Sequence, residues 1–126
     1  MLEIVNLTAG YESGFAVRNV SLRIETGEML GIIGPNGAGK TTLLKAMTRV
    51  LKPRDGRILM EGRDIRKLPL KTLARRVAVV SQTVSTDFMD VWGFVMLGRL
   101  PHYSGFQFSE TREDTRIAEW ALDVTG

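Results

Sequence analysis

Met29-Leu30-Gly31-Ile32-Ile33 runs into Gly34-Pro35-Asn36-Gly37-Ala38-Gly39-Lys40-Thr41-Thr42, and the reading of this stretch decides the fold. The first five residues are short and almost continuously apolar, the pattern of a strand covered on both faces. The next six are too rich in glycine and proline for a helix interior and predict a loop. From Lys40 the positions Leu43, Leu44, Met47, Val50 and Leu51 recur at helical spacing and predict one apolar face. A buried strand, a glycine loop and an amphipathic helix are the context in which residues 34–41, G-x-x-x-x-G-K-T, read as a phosphate-binding loop.

The residue types suit anion chemistry. Gly34, Gly37 and Gly39 let the backbone approach phosphate oxygens with no Cβ in the way. Successive backbone N–H groups then point inward as an anion nest. The helix that starts near Lys40 adds about half a positive charge at its N-terminus. Residues Gly34, Pro35, Asn36, Gly37, Ala38, Gly39, Lys40, Thr41 and Thr42 are therefore the candidate nucleotide-binding set. Lys40 is placed to bridge β- and γ-phosphates, the Thr41 hydroxyl suits Mg²⁺, and Thr42 can donate to an α-phosphate. The loop alone does not separate ATP from GTP, or hydrolysis from kinase chemistry. No Asn-Lys-x-Asp guanine-reading motif occurs.

Outward from the loop, residues 2–7 and 15–24 alternate apolar and polar side chains and predict two half-buried antiparallel strands. Residues 57–60 predict a further strand. A short helix starts near Pro69. Residues 77–80 predict a second fully buried strand. Residues 81–90 read as a polar loop, 91–98 as a helix weakened by Gly93, and 99–108 as loop. The last helix is expected to be capped by Ser109, with Ile117, Trp120, Ala121 and Val124 on one stripe. Strands and helices alternate as far as residue 86, which implies α/β, and the rest reads as helical. The boundary is placed there: 1–86 a nucleotide-binding core, 87–126 the start of a helical subdomain.

Composition narrows the classes. The 126 residues carry a net charge of +3 with scattered basic side chains, a solvated surface rather than a nucleic-acid groove. The absence of cysteine excludes disulfides, thiolate zinc sites and cysteine nucleophiles, and agrees with a reducing cytosol. His102 is the only histidine and a poor metal ligand without partners. No apolar run reaches the roughly 18 residues of a membrane span. The opening MLEIVNL has no basic stretch ahead of an apolar one and does not read as a signal peptide. Any membrane role is expected to run through a partner.

Val20-Ser21-Leu22, Gly27-Glu28, the run GIIGPNGAGKTTLL at 31–44, Leu51-x-Pro53-x-x-Gly56-x-Ile58, Gly62 and Val79-Val80-Ser81-Gln82 together resemble the nucleotide-binding subunit of ABC transporters. The resemblance covers essentially the whole chain. It implies a partial RecA-like P-loop NTPase core, an N-terminal antiparallel β subdomain and the start of an α-helical subdomain. It implies ATP and Mg²⁺ as cofactors. Tyr11 stands where the family places an aromatic that stacks on adenine, an interaction of roughly 1–3 kcal/mol. Gln82 stands where the family places a glutamine that reaches Mg²⁺ and the attacking water and couples the site to the membrane subunit. Lys40 and Gln82 are thus the implied catalytic residues, and Thr41 and Gln82 the implied metal contacts. The usual proline before that glutamine is Ser81 here, which is expected to loosen the loop.

Residues 94–102, FVMLGRLPH, resemble importers of iron-siderophores, haem and cobalamin. Their usual helix entry is replaced by Asp90-Val91-Trp92-Gly93, which bears on the contacts with a permease. Trp92 and Trp120 read as packing residues. His102 is not the family's switch histidine, which lies farther along the chain.

The family's Ser-Gly-Gly signature, its apolar strand ending in Asp-Glu and its switch histidine do not occur in these residues. Phosphoryl transfer rests on positioning and electrostatics, so nucleotide binding without hydrolysis is expected of this chain, which reads as truncated. The missing strand belongs beside the loop strand. Residues 29–33 and 77–80 are therefore expected to leave apolar faces and edges open, and the chain to dimerise by strand exchange. For the whole subunit the resemblance implies permease subunits met through residues 82–98 and a second ATP-binding subunit in a homodimer. It implies neither nucleic acid nor direct membrane insertion, and a place on the cytoplasmic face of the cell membrane. The competing readings are a nucleotide-binding module without catalysis and a soluble ABC ATPase serving translation, repair or cluster assembly.

Overall fold

In a computed structural model the described residues are 1–12, 14–81, 89–105, 107 and 109–126. They fall into two units, Met1–Leu73 and Ala74–Gly126.

Strand β1 (Leu2–Gly10) is the spine of the first unit. It pairs antiparallel with β2 (Ala16–Ile24) on one side and β3 (Asp55–Met60) on the other. The two-residue β4 (Arg63–Asp64) closes the β3 edge, giving the order β2-β1-β3-β4. Side chains alternate across a strand, so one face collects the apolar set. Ile4 stands opposite Leu22 on β2 and Ile58 on β3, and Ile4, Leu7 and Ile58 are fully buried. The pairing slips after Ile4, where Asn6 takes φ 47, and Asn19 on β2 takes φ 53. Asparagine tolerates this left-handed region better than most residues. Here the Ser21 hydroxyl accepts the Asn6 N–H at 2.9 Å and donates to the Asn6 Oδ1 at 3.1 Å.

Helix α1 (Lys40–Met47) covers this sheet with Thr42, Leu43 and Ala46. It ends earlier than its spacing predicts. Arg49 turns the chain at φ 60, leaving Val50 73% exposed and Leu44 48% exposed. The Arg49 guanidinium donates to the carbonyls of Ile65 at 3.1 Å and Leu68 at 2.6 Å. That bond pair ties the helix end to the segment before α2 (Leu70–Ala74), whose first turn forms at Pro69 as expected.

Two expected strands do not form. Residues 29–33 and 77–80 join no ladder among the described residues, and Met29, Ile33 and Val80 are almost fully exposed. An apolar run becomes a two-sided buried strand only where neighbours pair with it and cover it. No described strand does so, and every described ladder is antiparallel.

In the second unit α3 (Val91–Leu97) and α4 (Arg112–Thr125) pack on each other, with Met96 and Ala118 buried. Gly93 does not prevent α3, because the Asp90 carboxylate caps it by accepting the Gly93 N–H at 2.7 Å. A Cβ at position 93 would stand 3.0 Å from that same carboxylate. The cap of α4 is Thr111, not Ser109, in a reciprocal capping box with Asp114. Trp120 is 65% exposed rather than packed, since the buried line of α4 runs through Asp114 and Ala118.

Asp114 gathers the start of this helix. It accepts from the Thr111 hydroxyl at 2.6 Å, the Thr111 N–H at 3.0 Å, the Gln107 amide at 3.1 Å and the Arg99 guanidinium at 3.0 Å. The Thr111 bonds first, then those from Arg99 and Gln107, hold its carboxyl far below the usual carboxylate range. A folded pKa below the unfolded one contributes stability above the usual range, and that contribution is lost as pH falls through the folded value. Asp114→Asn is expected to lower the melting temperature at neutral pH and to flatten its decline below about pH 4. Circular dichroism melts against pH read this directly. A variant with the unsubstituted chain's acid dependence would remove Asp114 from this role.

Candidate functional site

The loop at 34–39 gets its shape from two glycines and from β2. Gly37 and Gly39 take φ 82 and 96, a region that residues with a Cβ seldom adopt. Gly39 is also crowded: a Cβ there would lie 2.1 Å from the Val17 Cγ1 and 3.3 Å from the Phe15 ring. Strand β2 and the residue before it therefore back the loop. The alternation in β2 marked Val17 as apolar, but nothing in the sequence marked what it covers. Ala38 N–H closes a turn on the Pro35 carbonyl at 3.2 Å, and Leu43 N–H opens α1 on the Gly39 carbonyl at 2.9 Å.

Lys40 folds back onto this loop, its ammonium donating to the Gly34 carbonyl at 2.7 Å and the Pro35 carbonyl at 2.8 Å. The first turn of α1 holds no acidic residue and no side-chain cap. The helix dipole and the ammonium thus place positive potential at one loop. Gly34 is half-buried, while Pro35, Asn36, Gly37 and Ala38 are exposed. Thr41 is exposed on the first turn, and Thr42 is buried beneath it.

Tyr11 lies in the turn between β1 and β2. Its N–H donates to the Phe15 carbonyl at 3.2 Å, and its carbonyl accepts from Gly14 N–H at 3.2 Å. Lys45, from α1, donates to the Tyr11 hydroxyl at 3.1 Å. The Arg54 guanidinium donates to the Tyr11 carbonyl, while Arg54 N–H is held by the Thr8 carbonyl at 2.8 Å. The structure thus connects Tyr11 with the helix that leaves the loop, through residues the sequence reading did not single out. Gln82 lies outside the described residues. The described residues hold no cluster of metal-ligating side chains. A divalent ion here would be held by the Thr41 hydroxyl and by oxygens of a bound polyphosphate, as suits Mg²⁺. A glycine loop with left-handed Gly37 and Gly39, the Lys40 ammonium, and the exposed Tyr11 tied to the same helix fit a nucleoside polyphosphate.

Known proteins share this sequence and fold. The family model described as ABC transporter matches residues 17–123. The iron(3+)-hydroxamate import ATP-binding protein FhuC of Bacillus subtilis is 36% identical over 126 residues, 99% of this chain and 46% of that protein. The hemin import ATP-binding protein HmuV of Pseudomonas entomophila is 40% identical over 123 residues, 97% of this chain and 46% of that protein. Among solved structures, a dimeric ATP-binding cassette in a post-hydrolysis state, bound to ADP and Pi, matches with a TM-score of 0.75 at 25% identity. The match covers 98% of this chain and 56% of that one. The chain spans about half the length of the curated relatives it matches. The fold is accordingly part of a P-loop NTPase, with an antiparallel N-terminal sheet and part of a helical region.

Proposed function

The chain belongs to the ABC transporter family, and from that membership we propose that it is the nucleotide-binding part of an importer's ATP-binding subunit. The observation that carries this reading is Lys40, whose ammonium rests on the loop carbonyls of Gly34 and Pro35 at the N-terminus of α1. A triphosphate replaces those carbonyls as the ammonium's partner and takes the free amides of the loop. Thr41 would hold the ion through its hydroxyl, Thr42 would donate to the α-phosphate, and Tyr11 would offer its ring to adenine. Bound Mg²⁺ neutralises charge on the phosphates. Gln82 would help hold the ion and orient a water, the role its family position implies. Measuring phosphate release from ATP alongside binding separates nucleotide binding from turnover in this chain.

In this reading residues 1–86 serve the nucleotide and 87–126 begin the part that meets the permease. Val91, Phe94 and Leu97 expose an apolar ridge on α3, which supports docking through residues 82–98. A second copy completes the site in the whole subunit, in keeping with the dimeric cassette it resembles. No described helix is long and apolar enough to cross a membrane; the whole subunit would meet the inner face of the membrane through the permease. The FVMLGRLPH segment and the two import relatives favour an iron chelate or haem as the solute.

The test is uptake in cells whose only copy of the whole subunit carries Lys40→Ala. Uptake of radiolabelled iron chelate or haem is expected to fall to background and to return with the unsubstituted gene. Loss of a different solute would correct the substrate class. Unchanged uptake of every solute would overturn the transport reading.

A further inference from the structure

We propose that Lys45 is a positioning residue for the nucleotide base, acting through Tyr11, with Arg54 as its counterpart on the Tyr11 backbone. The inference rests on the reading of Tyr11 as the adenine platform. Tyr11 sits in an exposed turn, where an aromatic side chain has rotamers to choose among, and ordering it on binding would weaken affinity. The structure removes that freedom from two directions. Arg54 holds the carbonyl of Tyr11 and is itself anchored through its N–H to Thr8 on β1. Lys45 holds the other end of the residue, the hydroxyl, from α1.

The geometry of the Lys45 contact matters. Its ammonium is 3.1 Å from the hydroxyl oxygen but 5.7 Å from the ring centroid. Those two distances put the cation out beyond the oxygen, close to the ring plane. It is a hydrogen-bond donor to the edge, not a cation seated on a face. Tyr11 is 42% exposed, so the bond to its hydroxyl fixes the direction in which the side chain projects while leaving it accessible to a flat partner. Lys45 and Lys40 lie on the same short helix, so the group that orients the ring and the group that meets the phosphates move as one body.

The experiment is calorimetry with two ligands, MgATP and inorganic tripolyphosphate, which shares the phosphates but lacks the base. Lys45→Met keeps the alkyl stem, and Tyr11→Phe keeps the ring; each is expected to weaken ATP about three- to tenfold and leave tripolyphosphate unchanged. The double variant is expected to bind ATP no more weakly than either single one, because both remove the same bond. Lys45→Arg is expected to restore most of the affinity. Tyr11→Ala is expected to weaken ATP further than Tyr11→Phe. If Tyr11→Ala weakens ATP and Lys45→Met does not, the inference fails while the adenine reading stands. If Lys45→Met weakens both ligands equally, Lys45 serves the phosphates or the scaffold and the inference also fails. If Tyr11→Ala leaves ATP affinity intact, or the unsubstituted chain binds neither ligand, the platform reading fails and takes the inference with it.

Discussion

Lys40→Ala is expected to weaken MgATP about 10- to 100-fold in a calorimetric titration while leaving thermal unfolding nearly unchanged. The two halves of that expectation have separate causes. The affinity loss follows from charge-assisted bonds between an ammonium and phosphate oxygens, each worth about 1.5–3 kcal/mol. The small effect on folding follows from where Lys40 points in the free chain. It donates to the carbonyls of Gly34 and Pro35, the latter at an exposed position, and water can replace the ammonium there. Lys40→Arg is expected to recover only part of the affinity, because a planar fork does not reproduce a compact ammonium set among phosphate oxygens. Equal binding by the unsubstituted chain and Lys40→Ala would show that nucleotide is bound elsewhere.

Gly39→Ala is expected to destabilise the first unit by about 2–4 kcal/mol and to weaken ATP as well. About 1–2 kcal/mol comes from forcing a residue with a Cβ into the left-handed region at φ 96. The rest comes from contact: a methyl at this position meets the Val17 Cγ1 at 2.1 Å, and either β2 or α1 has to shift. The contributions separate in a double-mutant cycle. Val17→Ala alone is mildly destabilising, but in that background Gly39→Ala is expected to cost only the backbone share. Urea denaturation of the four proteins measures the cycle. An identical cost in both backgrounds would show that Val17 is not the obstacle and that β2 does not back the loop.

The phosphate loop, the antiparallel strands and the positions of the later helices were legible in the sequence because each is signalled by residues close together in the chain. The runs at 29–33 and 77–80 were read as buried strands because their composition states what surroundings they need, but it does not supply them. The early end of α1 depended on Arg49 adopting a left-handed conformation, which its residue type does not announce. The start of α4 is legible in principle: Thr111 followed three residues later by Asp114 has the spacing of a capping box, which the expectation of a Ser109 cap passes over.

Within the candidate site, the loop residues 34–42 are contiguous in the chain and legible from their motif. Those that support them are not, because their contacts are long-range. Lys45 reaches Tyr11 across 34 positions, and Arg54 reaches it across 43. Val17 and Phe15 become part of the loop only when β2 is laid behind Gly39.

The bare side chains of Met29 and Ile33 also govern how the protein behaves in a tube. With a net charge of only +3, little electrostatic repulsion keeps two copies apart, and added salt screens what there is. Sulfate and phosphate go further, since excluded anions of this kind favour the burial of apolar surface. Phosphate is then the wrong buffer on two grounds, favouring burial of the exposed residues 29–33 and competing with nucleotide for the proposed site at 34–42. A dilute chloride medium relieves both, and the colloidal and the ligand-binding requirements of this chain converge on the same solution conditions.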